Sequence, residues 1–339
     1  MSGTLEKSVG VVVIGRNEGE RLKRCLRSIP PGLAAAYVDS GSTDGSLEFA
    51  RSIGVDVIEL DMNVGFTAAR ARNAGWQRLQ KRDPDLEFVQ FIDGDCEMDR
   101  DWLATALRAI QSDSDLAVVF GRRRERFPEA SVYNQMCDDE WDVPIGLVSS
   151  CGGDALFRIA ALKLAGGYSD DLIAGEEPDL CLRLRAKGWT IRRIDAEMTL
   201  HDANILSLSS YWKRAERAGF AYAEHVRRHG ENADPQKRKQ VASILVWGLL
   251  LPLGAVTLGG LMITMNPWLA ILALLGAVGV YAAQTARIAL KKYRSGADWG
   301  FAWSYGLLIV VGKFAEGTGV IRCAADRLFR RRSQIIEYK

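Results

Sequence analysis

Phe88-Val89-Gln90-Phe91-Ile92-Asp93-Gly94-Asp95 is an apolar run that stops abruptly at two carboxylates flanking a glycine. The apolar part reads as a buried strand, and the acidic tripeptide as the loop at its carboxyl end. Paired carboxylates in that position can hold a hard divalent ion and, through it, a diphosphate. The glycine removes bulk at the bend, so a ligand can come close to the backbone. An ordinary acidic surface turn has the same composition, so the flanking sequence has to decide between the two readings.

Upstream, apolar runs alternate with charged helical stretches. Val9 to Ile14 reads as a first strand, Glu18 to Ile29 as a helix, Ala35 to Asp39 as a second strand and Ser46 to Ile53 as a second helix. Val55 to Leu60 continues as strand and Ala68 to Arg82 as helix, the alternation of an α/β domain with a mixed, mostly parallel sheet. Asn17, Asp39 and Asp93 then fall at the carboxyl ends of parallel strands, where open α/β sheets bind ligands. The stretch Asp39-Ser40-Gly41-Ser42-Thr43-Asp44-Gly45-Ser46 is open to two readings. It can be a capped turn alone, or a turn that offers the Asp39 carboxylate to the N–H and hydroxyl groups of a nucleoside.

Taken in order, the motifs resemble those of family 2 nucleotide-sugar glycosyltransferases with the GT-A fold. The matching pieces are Val13-Ile14-Gly15-Arg16-Asn17-Glu18, the Asp39 turn, Asn63-Val64-Gly65, and Ala71-Arg72-Asn73-Ala74-Gly75. They continue with Phe91-Ile92-Asp93-Gly94-Asp95, Gly152-Gly153-Asp154-Ala155-Leu156-Phe157-Arg158, and Gly175-Glu176-Glu177-Pro178-Asp179-Leu180 with Arg183. The likeness runs from about residue 9 to His201.

The resemblance implies a site. Asn17, Glu18 and Asp39 would hold the nucleoside, usually uridine. Asp93 would lie near the ribose and join Asp95 at a Mg²⁺ or Mn²⁺ ion, with His201 completing the metal set. Arg72 would support the nucleotide pocket or the diphosphate, its plain alternative being a cation on the helix surface. Gly152 and Gly153 would face the donor sugar and acceptor. The general base comes from Glu176-Glu177, where the family more often carries Glu-Asp; alignment favours Glu177 and leaves Glu176 as the alternative. Pro178 is expected to open a helix from Asp179 to Lys187. His225 and His229 sit in a basic stretch and read as surface residues.

From Val241 to Ala286 the chain carries no charged side chain and is broken by Asn266-Pro267. Two arms of about twenty residues are enough to cross a bilayer twice as a hairpin. Lys237, Arg238 and Lys239 precede it and Arg287, Lys291, Lys292 and Arg294 follow, so both ends are expected on the cytoplasmic side of an inner (plasma) membrane. Met1 to Ser8, with Glu6 and Lys7, does not read as a signal peptide. Tyr211, Ala215, Ala218, Tyr222 and Val226 share one helical stripe, expected to lie on the bilayer surface or to pack on the catalytic domain. Trp299 to Gly312 is apolar but is followed by Lys313 and Glu316. With Arg327, Arg330, Arg331 and Arg332 beyond it, this segment is read as interfacial or re-entrant rather than as a third span. The expected domains are therefore 1–205 catalytic, 206–240 interfacial helix and linker, 241–290 hairpin and 291–339 tail segment.

The formal net charge of +2 over 339 residues gives no basis for a nucleic-acid partner. Cys25, Cys96, Cys137, Cys151, Cys181 and Cys323 are scattered, so neither a zinc site nor a disulfide scaffold is expected. The function these features suggest is transfer of one sugar to a lipid or lipid-linked glycan acceptor. A processive polysaccharide synthase is the rival enzyme, disfavoured because no Gln-x-x-Arg-Trp stretch follows His201. A non-catalytic membrane scaffold that kept a sugar-nucleotide fold is the rival of another class.

Overall fold

A computed structural model of the chain describes residues 8–331. Met1 to Lys7, and Arg332 of the basic run with the tail beyond it, lie outside the described residues. The chain divides into two compact units. The first comprises residues up to Pro128 together with Cys137–Asn204, and the second comprises Glu129–Met136 together with the chain from Ile205 onward.

The first unit is built on a mixed sheet of nine strands: β1 Val9–Gly15, β2 Ala34–Asp39, β3 Asp56–Glu59, β4 Phe88–Asp93, β5 Cys96–Met98, β6 Leu116–Glu125, β7 Gly146–Leu147, β8 Ala155–Arg158 and β9 Thr190–His201. Its order is β3-β2-β1-β4-β8-β6-β9-β5, with β7 paired to β9. Strands β3, β2, β1 and β4 are parallel, whereas β8 runs antiparallel to both β4 and β6. Helices cover the parallel half, so β1 is buried along nearly its whole length and is apolar at every position but its glycines. Register sets Gly15 beside Asp39 and Ile14 beside Asp93, which brings the three acidic or polar strand ends to one edge. This is the mixed, mostly parallel α/β sheet read from the sequence.

Two local differences matter. The helix expected to open at Pro178 runs from Glu176 to Arg185, begun by Gly175 at φ 80°. Proline is tolerated within the first turn, where its missing N–H has no intrahelical partner in any case, so Pro178 does not mark the helix start. Glu176 and Glu177 therefore sit on the helix rather than on the loop before it. His225, read as a surface residue, is buried, and its Nε2 accepts a 3.3 Å hydrogen bond from the Asp234 amide.

The second unit is helical: Leu208–His229, Pro235–Ile263, Pro267–Arg294 and Trp299–Leu328. Pro235–Ile263 and Pro267–Arg294 are long and apolar enough to cross a membrane, and only 11% of the most apolar window of each is covered by protein. Within the first of them, Leu245–Leu250 is wound as π-helix just before Pro252, which cannot donate to the turn below it. The Tyr281 hydroxyl of the neighbouring helix donates to the Trp247 carbonyl in that stretch at 2.6 Å.

Within the second unit, Tyr211 and Ala215 of the expected stripe are covered, while Ala218, Tyr222 and Val226 are half-buried. Tyr211, Ala215, Gly219 and Phe220 are buried, and the Tyr211 hydroxyl donates to the Leu308 carbonyl at 2.7 Å. Helix Leu208–His229 is packed so tightly on Trp299–Leu328 that a Cβ on Gly219 would lie 2.0 Å from the Glu316 carbonyl oxygen. One on Gly319 would lie 2.0 Å from that of Glu216. The 299–321 segment accordingly belongs to one unbroken helix with a protein-covered face, not to a chain that enters and turns back.

Candidate functional site

The site forms where β1, β2 and β4 end. Asn17 takes a left-handed backbone (φ 54°), which short polar side chains tolerate when local hydrogen bonds hold them. Its amide donates to Ser42 Oγ at 2.9 Å and its Oδ1 accepts the Thr43 amide at 2.8 Å. Asp44 Oδ2 accepts the Gly19 amide at 2.7 Å, so the β1 and β2 loops are laced together. Asp39 is fully buried: Tyr37 donates to its Oδ1, and the Gly41 and Ser42 amides donate to its Oδ2, each at 2.8 Å. Its carboxylate thus organises the turn from within. Glu18 pairs with Arg21 at 2.8 Å.

Arg72, one turn into helix Ala68–Arg82, points inward rather than to the surface. Its Nη1 lies 2.9 Å from Glu177 Oε1 and 3.0 Å from Glu176 Oε1, and its Nη2 lies 2.9 Å from Asp93 Oδ1. Glu176 is buried, whereas the Glu177 side chain keeps 14% of its surface open. Burial, then the neighbouring Glu176 carboxylate, pushes the Glu177 carboxyl up to about 7, against the pull of Arg72. Enclosure by protein also opposes ionisation of Asp93, but the Arg72 and Arg123 guanidiniums outweigh it and hold that carboxyl well below the usual range. Gly153 is what permits the Arg72–Asp93 approach: a Cβ there would lie 2.5 Å from Arg72 Nη2 and 2.8 Å from Asp93 Oδ2. Around Gly152, by contrast, a Cβ would meet no atom within 4 Å.

Asp95 and His201 come together, with His201 Nε2 3.3 Å from Asp95 Oδ2, and the adjacent Cys96 completes a buried group whose ligand atoms lie within 4.8 Å of one another. Burial lowers the His201 pKa, so its imidazole is neutral and able to ligate at neutral pH. A carboxylate and a neutral imidazole facing each other suit a Mg²⁺ or Mn²⁺ ion that takes its other ligands from phosphate and water. Asp93 is not a member of this group, because its two oxygens are held by Arg72 and by Arg123 at 2.9 Å each.

Residues that sequence reasoning did not single out tie the site together. Asp154 Oδ1 accepts the Asp93 amide at 2.9 Å, while its Oδ2 accepts Thr199 Oγ1 at 2.7 Å and pairs with Arg123 Nη2 at 2.8 Å. The Arg123 guanidinium also lies over the Trp141 ring, 5.4 Å from its centroid. Asp154 stood inside a recognised motif, and the run Arg122-Arg123-Arg124 on an otherwise apolar strand was a visible anomaly. Neither carried a sign of its partners.

Residues 10–143 match the family described as Glycosyl transferase family 2. The pre-mycofactocin glycosyltransferases of Mycobacterium tuberculosis, from strains CDC 1551 / Oshkosh and ATCC 25618 / H37Rv, are each 26% identical over 249 residues, covering 69% of this chain. The chain spans about half (51%) of the length of these curated relatives. Among solved structures, the mannosyltransferase PcManGT from Pyrobaculum calidifontis, in complex with GDP-Man and Mn²⁺, superimposes with a TM-score of 0.55 at 18% identity. The match covers 92% of this chain and 86% of that one, and is a likeness of fold. The strand order, the acidic strand ends and the family match over residues 10–143 agree, and the chain carries the GT-A fold.

Proposed function

We propose that this chain is a metal-dependent, inverting glycosyltransferase that moves a single sugar from a nucleotide-sugar, read as UDP-linked, to a hydroxyl or phosphate of a lipid or lipid-linked glycan. The observation that carries this reading is the convergence of Glu177, Arg72, Asp93 and the Asp95–His201 pair at the carboxyl ends of β1, β2 and β4. Asn17, Glu18 and the Asp39 turn form the nucleoside end, and Gly152 leaves room for the sugar while Gly153 leaves room for the Arg72–Asp93 contact beside it. Glu177 takes the proton of the acceptor hydroxyl as that oxygen bonds to the anomeric carbon. The bond from that carbon to the diphosphate breaks on the opposite side, and the nucleoside diphosphate leaves. Where a phosphate is the acceptor, its oxygen attacks without needing that proton removed. Asp95 and His201 would hold the Mg²⁺ or Mn²⁺ ion, which when bound supplies positive charge for the leaving diphosphate. That the fold relative PcManGT was solved with GDP-Man and Mn²⁺ supports a divalent ion and a nucleotide-sugar here.

The two apolar helices support a membrane acceptor, with the catalytic unit on the cytoplasmic face of the inner (plasma) membrane. Their uncovered faces carry Leu253, Val256, Leu261, Leu272 and Val278, each more than 60% exposed, which is a surface suited to lipid rather than to water. The test is incubation of the detergent-purified chain with native lipid extract and radiolabelled UDP-, GDP- and dTDP-sugars, with and without EDTA. Label should move into the lipid phase from one donor, only with free divalent ion. Transfer confined to water-soluble products would overturn the lipid acceptor, and full transfer after rigorous chelation would overturn the metal.

A further inference from the structure

Glu125 is the last residue of β6, and the register of β6 with β9 places it beside His201. Its side chain is fully buried; Oε2 accepts the Ala203 amide at 3.0 Å and Oε1 accepts the Phe127 amide at 3.2 Å. A neutral glutamine could also accept two backbone amides, whereas a buried carboxylate gains from every further donor that faces it. His201 is one such donor, its Nδ1 facing Glu125 Oε2 at 3.6 Å, just beyond ordinary hydrogen-bond length. On the other side of the ring, Nε2 faces Asp95 at 3.3 Å, and the Trp141 ring meets the imidazole edge-on, centroids 4.7 Å apart, limiting its rotation.

We infer that Glu125 is a positioning residue for the metal site: it draws the His201 proton to Nδ1 and so leaves the Nε2 lone pair free on the side of Asp95. Histidine ligands are commonly oriented in this way by a carboxylate on their far nitrogen, and its removal weakens the metal 10–100-fold. Without Glu125 the ring can carry its proton on Nε2 and donate it to Asp95, closing the pair on itself. The inference rests on the metal reading given above.

The experiment is titration of the metal-free full chain with Mn²⁺, followed by electron paramagnetic resonance, for native protein, Glu125→Gln and Glu125→Ala. Metal-free nucleoside-diphosphate binding and circular dichroism are measured alongside. Glu125→Gln should weaken Mn²⁺ roughly 10–100-fold with both controls unchanged, and Glu125→Ala at least as much. Failure of the native chain to bind Mn²⁺ would overturn the metal reading and this inference together. Equal binding by native and Glu125→Gln protein would overturn the role of Glu125 alone. If the variants do not fold, ¹⁵N-histidine spectra of the native chain with Mg²⁺ decide. His201 should then show a protonated, slowly exchanging Nδ1, and an Nδ1 proton exchanging as fast as that of free histidine would overturn the proposal.

Discussion

The Arg72 guanidinium holds the Glu177 carboxylate at 2.9 Å from a side chain that is itself almost wholly buried. Arg72 lies on the helix that follows β3, and Glu177 on the first turn of helix Glu176–Arg185. The contact therefore fixes Glu177, the proposed base, relative to the helix that follows β3. Because the same guanidinium also holds Glu176 and Asp93, three carboxylates share one cation.

Glu177→Gln should keep the fold and donor affinity while lowering transfer by at least ~10²-fold, the scale of losing a positioned general base. Glu176→Gln should lower it less, since Glu176 is the more buried of the two. Calorimetric donor binding beside initial rates checks both, and near-normal transfer by the Glu177 variant with collapse of the Glu176 variant would reverse the assignment.

With the Glu177 carboxyl at about 7 and the deprotonated form required, kcat/KM toward a hydroxyl acceptor should rise about tenfold per pH unit well below 7 and level off above it. Stability should move the opposite way. The folded carboxyl lies above its ordinary 4.5, so the native state binds the extra proton between these values. The stability this contributes is complete below about 4.5 and is lost as pH rises through about 7. Urea titrations across that window should show the slope in the native chain and a smaller one in Glu177→Gln.

Adjacent glycines should respond differently to alanine. Gly153→Ala has to push apart Arg72 and Asp93, a strain of about 1–3 kcal/mol visible as a lower urea midpoint, with loss of transfer. Gly152→Ala meets open space and should leave the midpoint unchanged. If that space receives substrate, its effect appears in KM.

Arg123→Ala should destabilise the first unit by about 3–5 kcal/mol, because it leaves Asp154 and Asp93 with one cation fewer in an enclosed site. Equilibrium unfolding measures this directly. A change under 1 kcal/mol would mean that water or Thr199 replaces the arginine without cost.

The ends of β1, β2 and β4 were legible because each is announced locally, by an apolar run followed by Asn17, Asp39 or Asp93. Asp95 and His201 were legible only through family order, since they are far apart in the chain and meet through the pairing of β5 with β9. Arg123, Asp154 and Glu125 escaped for the complementary reason: each has partners far along the chain, and the local sequence does not encode those partners. The Tyr211 stripe was visible as an apolar face, but such a face does not say what covers it. Here the cover is a helix some ninety residues further on.

That cover limits where the chain can be cut. Removing everything after Gln240 would spare helix Leu208–His229 but strip away Trp299–Leu328, opening Tyr211, Gly219 and Phe220 to water. Cutting after Asn204 avoids this but leaves other groups bare. The Ser131 hydroxyl donates to the Ile205 carbonyl, buried Asn134 accepts the Ile205 amide at 3.0 Å, and Tyr133 stacks on Tyr211. A water-soluble catalytic fragment therefore needs repair as well as truncation: polar replacements at Tyr133 and Asn134 after the shorter cut, or a retained Trp299–Leu328 helix joined by a linker in place of the hairpin.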